Sequence, residues 1–303
     1  MMHTPIMLSQ VCEGLAIKKD GIYLDATFGR GGHSRAILER LGSKGQLFAY
    51  DKDPEAVTHA ASIEDDRFNI VQKSYVDMFE DMRILGYVNM IDGILMDLGV
   101  SSPQLDKAER GFSFMRNGPL DMRMDNSNGI TAKQWLQQAS EEEIVDALYS
   151  YGEEKFAKRI ASMIVKHLAH DSIEDTHTLV NIIKLAVGSR YQKEKHPATR
   201  TFQALRIVVN SELDELKKTL SNLERLLAPG GRLVVISFHS LEHRIVRQFM
   251  QRYLPGNENQ QDLLHSAKRV SFKKVAKVMT ASALEQKMNS RARTAQCRVV
   301  EKI

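Results

Sequence analysis

The stretch Leu24-Asp-Ala-Thr-Phe-Gly-Arg-Gly-Gly-His-Ser34 reads as a strand end, a glycine turn and a helix start. An apolar run beginning at Ile22 closes at Leu24. Gly29, Gly31 and Gly32 permit positive φ and close approach of bare backbone to a ligand, and Ser34 opens the amphipathic segment Arg35 to Leu41. A second apolar run, Gln46 to Tyr50, ends in Asp51. An acid about 20 residues beyond a glycine loop falls at the tip of the next parallel strand, where it accepts hydrogen bonds from both hydroxyls of a ribose. The pattern points to a nucleoside cofactor.

The match to the dinucleotide fingerprint is incomplete. In G-x-G-x-x-G counted from Gly29, the third glycine falls at position 34, which is serine. That glycine packs the helix tightly on the strand so that a pyrophosphate sits at the helix N-terminus. A cofactor without a pyrophosphate suits this loop better. S-adenosylmethionine is one: it needs the ribose acid and close backbone approach but no phosphate cradle. Two alternatives stay open on these residues alone, a nicotinamide dinucleotide and a tight turn that binds nothing.

A chain of 303 residues, 43% of them hydrophobic, holds one large domain or two ordinary ones with a substantial core. Cys12 and Cys297 lie too far apart in sequence to suggest a metal knuckle or redox pair, so ordinary thiols of a reducing compartment and no metal are expected. No charged-then-apolar leader opens the chain, and no apolar run approaches the roughly 18 residues of a membrane span. A soluble cytoplasmic protein with no membrane partner follows. The net charge of +4 says little, but its distribution says more. From Lys268 to Lys302, ten Lys or Arg stand against two acids, Glu285 and Glu301. Such a segment neutralises nucleic-acid phosphates, or is simply a solvated basic surface.

Apolar runs at Gly21–Asp25, Gln46–Asp51, Phe68–Gln72 and Ile91–Asp97 alternate with helical stretches, the signature of βαβ units feeding a parallel sheet. From about residue 106 to 205 the alternation stops and nearly every apolar pattern has helical period. Ser140-Glu-Glu-Glu143 is a capping box opening a helix through Tyr149. Phe156, Ile160, Ile164 and Leu168 line one face of a helix over Glu153–Ala169, and a further helix runs over Thr178–Val187. The pattern predicts an α/β fold in which residues 1–105 and 206–303 form a Rossmann-like sheet domain and 106–205 an all-helical insertion. A long helix over Ala198–Leu227, with a break, leads to Ala228-Pro-Gly-Gly231, a turn reversing the chain into the strand Arg232–Phe238. Lys274–Met279 and Gln296–Lys302 read as final strands or an extended arm.

Ligands of an open α/β sheet bind outside the carboxyl ends of its strands, near the switch point. Four segments converge there: Asp25–His33, Asp51, Asp97–Gln104 and Ser237–Ser240. A carboxylate or carbonyl acceptor in the Asp97 loop would orient an exocyclic amine. Amine methylation needs alignment of nucleophile and methyl sulfonium more than a strong base. Each residue also has a plainer role: Asp97 as a loop cap, His33 as a solvated loop histidine, Tyr75 as packing rather than a cover for adenine. Phe112 and Phe114 stack on an extruded base or fill a core. His239 and Ser240 lack the G-x-S-x-G elbow of a hydrolase.

Taken together, His3-Thr-Pro-Ile-Met7, Asp25-Ala-Thr-Phe-Gly-Arg-Gly-Gly-His-Ser34, Asp97-Leu-Gly-Val-Ser-Ser-Pro-Gln104, Arg110-Gly-Phe-Ser-Phe-Met115, Gly118-Pro-Leu-Asp-Met-Arg-Met124, His196-Pro-Ala-Thr-Arg-Thr-Phe-Gln203 and Ile236-Ser-Phe-His-Ser-Leu-Glu242 resemble the bacterial MraW/RsmH family from His3 to Arg298. The resemblance implies a class I S-adenosylmethionine-dependent methyltransferase fold whose helical insertion recognises the substrate. It also implies methylation of a cytosine N4 in the decoding region of 16S rRNA, with that rRNA, within the small ribosomal subunit, as partner. Carried over by motif, the cofactor contacts are Gly31, Gly32, His33, Asp51, Tyr75, Asp97 and Gln104. Relatives carry phenylalanine at the Tyr75 position, and either ring stacks. Many amino-methyltransferases have Asp/Asn/Ser-Pro-Pro-aromatic where this chain has Asp97-Leu-Gly-Val and then Ser101-Ser-Pro. The base-stacking aromatic is therefore sought at Phe112, Phe114 or Phe238, and Asp97 is given a second, catalytic role. A non-catalytic RNA-binding protein is the competing class, and it predicts RNA affinity without cofactor affinity. The oligomeric state stays open, a homodimer included.

Overall fold

The structure, a computed structural model, describes residues 5–188, 196–255 and 271–303. His3 and Thr4 of the first motif, and Lys268 and Arg269 of the basic segment, lie outside the described residues. The chain divides into two compact units, residues 1–99 with 214–303, and 100–213. The sequence reading placed the insertion at 106–205.

The first unit is built on strands β1 (Ile22–Asp25), β2 (Gln46–Asp51), β3 (Phe68–Gln72), β4 (Ile91–Asp97), β5 (Leu227–Ser237), β6 (Phe272–Lys274), β7 (Met279–Thr280) and β8 (Gln296–Lys302). Their order is β3-β2-β1-β4-β5-β8-β6, with β7 also on β8. The strands from β3 to β5 are parallel, and β8 runs antiparallel to β5. Because β1 pairs with both β2 and β4, the winding reverses there, and a crevice opens at the carboxyl ends of these strands. This is the Rossmann-like α/β sheet expected.

Of the four parallel strands read from sequence, β1, β2 and β4 are mainly apolar runs because the sheet is covered on both faces there, whereas β3 at the outer end stays partly exposed. On one face, α1 (Leu8–Leu15) and α2 (Gly32–Leu38) bury Val11, Leu15, Ile37 and Leu38 against Leu47, Leu95, Val234 and Ile236. On the other, α4 (Met78–Ile84), α11 (Glu212–Leu226) and α12 (Ser240–Tyr253) bury Met78, Met82, Leu220, Leu223 and Val246 against Leu24, Ile94, Met96 and Val235. Leu95 points to the first face and its neighbours Ile94 and Met96 to the second, the two-residue alternation of a strand. The first helix packs so tightly that a Cβ on Gly14 would stand 2.9 Å from Val299 Cγ2.

Three sequence expectations need correction. Ala228-Pro-Gly-Gly231 does not end an element; it lies inside β5 as an irregularity, with Leu227 opposite Ile91 but Arg232 opposite Gly93, and Gly230 at φ +75°. Surplus residues bow off the ladder without leaving the strand. Lys274–Met279 is not one strand: residues 275–278 separate the end of β6 at Lys274 from the start of β7 at Met279. The helix expected from Glu153 starts at Ala157 as α8 (Ala157–Leu168), because Glu153 adopts φ +48° and the Glu154 carboxylate accepts the Phe156 N–H at 2.9 Å.

In the second unit, α7 (Glu141–Ser150), α8, α9 (Thr176–Val187) and α10 (Thr199–Asn210) enclose Ile144, Leu148, Ile160, Ile164, Leu179, Ile183, Phe202 and Leu205. The Ser140 capping box forms, with Glu143 N–H donating to Ser140 Oγ at 3.2 Å. The anticipated break in the long helix is Ser211, at φ +51° between α10 and α11. Among the described residues of 100–213 the only strand-type pairing is the isolated bridge Pro119–Asp175. No helix among the described residues is long and apolar enough to cross a membrane.

Candidate cofactor and active site

The glycine turn is tied directly to Asp51, the acid expected to face a ribose. Gly29 N–H donates to Asp51 Oδ2 at 2.7 Å, and Asp53 N–H donates to Asp51 Oδ1 at 2.9 Å. Both oxygens are thereby aimed by backbone, yet each keeps a lone pair for a hydroxyl. Gly29 and Gly31 take φ +56° and +72°, which side-chain-bearing residues resist. Gly32 opens α2 so close to the N-terminal arm that a Cβ would lie 2.9 Å from Pro5 Cγ. Ser34 does not merely replace a glycine: its Oγ donates to Asp25 Oδ2 at 2.7 Å, and both residues are fully buried. That bond fixes helix to strand where the dinucleotide fold would use a smaller residue.

At the end of β4, Asp97 N–H donates to Thr27 Oγ1 at 2.7 Å, holding the tips of β1 and β4 together. Asp97 Oδ2 stands 3.5 Å from His33 Nε2, while Asp97 Oδ1 and His33 Nδ1 are buried without hydrogen-bond partners among the described residues. Burial pushes the His33 pKa down, but the carboxylates of Asp97, Asp25 and Glu285 outweigh it and leave the imidazole above its ordinary value. A buried imidazole beside a carboxylate with one uncommitted oxygen is suited to a polar ligand group at the crevice. The residues present therefore fit a ribose-bearing cofactor with a polar tail.

At the tip of β5, Phe238 is partly exposed, 3.6 Å from where a Cβ on Gly99 would lie. Its N–H donates to Glu242 Oε2 at 2.7 Å, and His239 N–H to the same oxygen at 3.3 Å. Sequence reasoning missed this cap, although a glutamate three residues after His239 at a helix start was the available signal. Ser237 Oγ lies 2.7 Å from His243 Nδ1, but Ser237 is fully buried and presents no nucleophile.

Tyr75 begins a short 3-10 turn just beyond β3, partly exposed and packed against the core of the α4 face. The other predicted residues belong to the second unit. Gln104 is buried in α5 (Ser102–Asp106), its side-chain carbonyl accepting the Ser101 N–H at 2.9 Å. Phe112 is 6% exposed within that unit's core, so its ring is unavailable to a base and that expectation is withdrawn. Phe114 is partly buried, stacked on His196 at 4.4 Å and edge-on to Phe202 at 5.1 Å. Of the basic segment, Lys273 is paired with Glu301 at 2.7 Å, and Lys302 Nζ donates to the Glu224 and Leu227 carbonyls at the end of α11. Those two cations serve the fold.

A pH dependence follows from Asp51. Burial, helped by the Asp53 and Asp25 carboxylates, pushes its pKa up to about 6 against the two backbone N–H donors. Ribose hydroxyls donate to the ionised form, so binding favours deprotonation. Affinity for S-adenosylmethionine is expected to be full above about pH 7 and to fall as pH drops through about 6, with proton release on binding near pH 6. Calorimetric titration between pH 5 and 8 checks this, and an affinity flat across that range would count against the ribose role.

The whole chain, residues 1–303, matches the model of the MraW methylase family. The chain is 49% identical over 313 aligned positions, covering 100% of itself and 98% of the relative, to the ribosomal RNA small subunit methyltransferase H of Nitrosomonas eutropha. Among solved structures it is similar to an rRNA methylase from Streptococcus thermophilus (11% identity, 100% and 99% of the chains, TM-score 0.41). It is also similar to a SAM-dependent O-methyltransferase from Thermotoga maritima (11% identity, 100% and 68%, TM-score 0.43). Match and identity span the full length, and the chain belongs to the MraW methylase family.

Proposed function

We propose that this protein transfers the methyl group of S-adenosylmethionine to the N4 amine of a cytosine in the decoding region of 16S rRNA, in the cytoplasm and within the small ribosomal subunit. What carries the proposal is the pairing, on one strand edge, of Asp51 aimed by the glycine turn and Asp97 with an uncommitted buried oxygen. RNA as the acceptor is supported by the name of the Nitrosomonas relative.

When bound, S-adenosylmethionine supplies an electrophilic methyl on a sulfonium. Asp51 would accept the ribose hydroxyls, Tyr75 would cover the adenine, and Gly31, Gly32 and His33 would line the approach of the polar tail. Gln104 is a further contact. Asp97 would accept a hydrogen bond from the exocyclic amine, turning its lone pair toward the methyl carbon, and would take up the proton that the amine loses during or after attack. Phe238 is the aromatic that stacks the extruded base, since Phe112 is spent in a core and Phe114 already has one face on His196. The helical unit grips the RNA around it.

The test is incorporation of labelled methyl into RNA of small subunits from a strain lacking this protein, with wild-type subunits as the already-methylated control. Label in the first and not the second is expected. Equal label in both, or in neither with cofactor binding intact, would remove the ribosomal substrate.

A further inference from the structure

Back along β8 from the strand edge, the first unit has a second concave site. Four residues, 275–278, separate the pair Lys274–Val300 from the pair Met279–Cys297, where β8 supplies only Arg298 and Val299. The surplus chain bows off the ladder. Across from it α12 carries Arg247 and Met250 along one helical stripe, with Leu254 capping its C-terminal end. Between them lies a cavity of about 300 Å³, lined by those three side chains and by Lys274, Val278 and Arg298.

The charges of this cavity are one-sided. Among the described residues, three cations line it and no Asp or Glu does. Arg298 donates from one terminal nitrogen to Gln296 Oε1 at 3.1 Å, but its Nε is buried without a partner among the described residues. Burial and the neighbouring Arg247 guanidinium both hold the Arg298 pKa below its ordinary value. Two guanidiniums beside each other without an acid are costly until an anion joins them, and the planar fork of arginine matches phosphate oxygens in particular.

We infer that this cavity is a phosphate subsite that seats the RNA backbone, a phosphodiester bridged by Arg247 and Arg298 with Lys274 at the rim and the apolar wall against the sugar. The inference rests on RNA being the substrate. Arg298 is two residues along β8 from Gln296, which pairs with Ser237 at the strand edge, a rise of about 7 Å. The bound phosphate therefore belongs to a nucleotide a few positions from the target, and it sets register rather than sequence.

The test compares the full-length protein with the Arg247→Gln/Arg298→Gln double variant in equilibrium binding to labelled 16S rRNA across a potassium chloride series, with S-adenosylmethionine affinity measured in parallel. The expected result is unchanged cofactor affinity, rRNA affinity down about tenfold near 0.1 M salt, and a salt slope shallower by about 0.7 to 1. Arg252→Gln, which removes one exposed cation of the same helix outside the cavity, is expected to change rRNA affinity much less. Val278→Glu places a carboxylate at the exposed rim and is expected to reproduce the loss if the double variant folds poorly. Wild-type affinity and slope in the double variant, or an equal loss in Arg252→Gln, would overturn the subsite while leaving the methyltransferase reading standing. A thermal shift with inorganic phosphate that the double variant abolishes, without any change in rRNA binding, would mark a free-anion site and overturn it too. Wild-type protein that binds no 16S rRNA would overturn both.

Discussion

Asp51→Ala is expected to raise the dissociation constant for S-adenosylmethionine by about a hundredfold or more. In the proposed complex two ribose hydroxyls donate to this carboxylate, and hydrogen bonds to a charged group are worth about 1.5–3 kcal/mol each, so losing both exceeds about 3 kcal/mol. The truncation also strips the acceptor from Gly29 N–H and Asp53 N–H, which loosens the turn that carries the glycines. Isothermal titration at pH 7.5 measures it, with the unfolding midpoint of the cofactor-free variant as the control for folding. Asp51→Asn retains one acceptor and is expected to lose less. Affinity within about threefold of wild type in the alanine variant would mean that the ribose sits elsewhere.

The second large effect is expected at Asp97. Asp97→Asn should lower turnover by about 10²-fold or more, the usual weight of a positioned proton acceptor, while changing cofactor affinity by less than about threefold. The variant carries its own spectroscopic check. The Asp97 carboxylate is the strongest of the influences raising the His33 pKa against burial, so the His33 ring should titrate at lower pH in Asp97→Asn, as followed by NMR. A shifted His33 with normal turnover would make Asp97 an electrostatic neighbour only. Loss of cofactor binding with normal turnover at saturation would make it purely a cofactor residue.

Much of this layout was legible because its signals are contiguous. β2, β3 and β4 begin and end at the residues where their apolar runs do, since each stops at a polar tip and β2 and β4 are buried on both faces. The glycine turn and Asp51 could be read for the same reason: spacing along the chain alone places them on adjacent strands. Illegible features depend on partners distant in sequence or on how surplus residues are absorbed. Pro229-Gly-Gly231 reads as a helix stop and strand reversal, and only the register against Ile91 and Gly93 shows that β5 carries it as a bulge. The split between β6 and β7 is likewise a mismatch of four residues against two on β8.

Side-chain ties show the same divide. Ser34 was noticed for the glycine it is not, whereas its bond to Asp25 is what it contributes; the Thr27 to Asp97 link spans 70 residues and leaves no local trace. Phe112 and Phe114 sit in a loop without periodicity, so nothing in the string separates the buried ring from the partly exposed one. Glu242 could have been found, because its spacing from His239 is that of a helix cap.

The atom that receives the methyl group distinguishes amine methylation from every other methylation of RNA. RNA from small subunits lacking the mark, labelled by the purified protein with methyl-labelled S-adenosylmethionine and digested to nucleosides, should carry its label in N4-methylcytidine alone. Label in any other nucleoside, a methyladenosine or a ring-methylated cytidine among them, would contradict the account at the amine that Asp97 is held to orient.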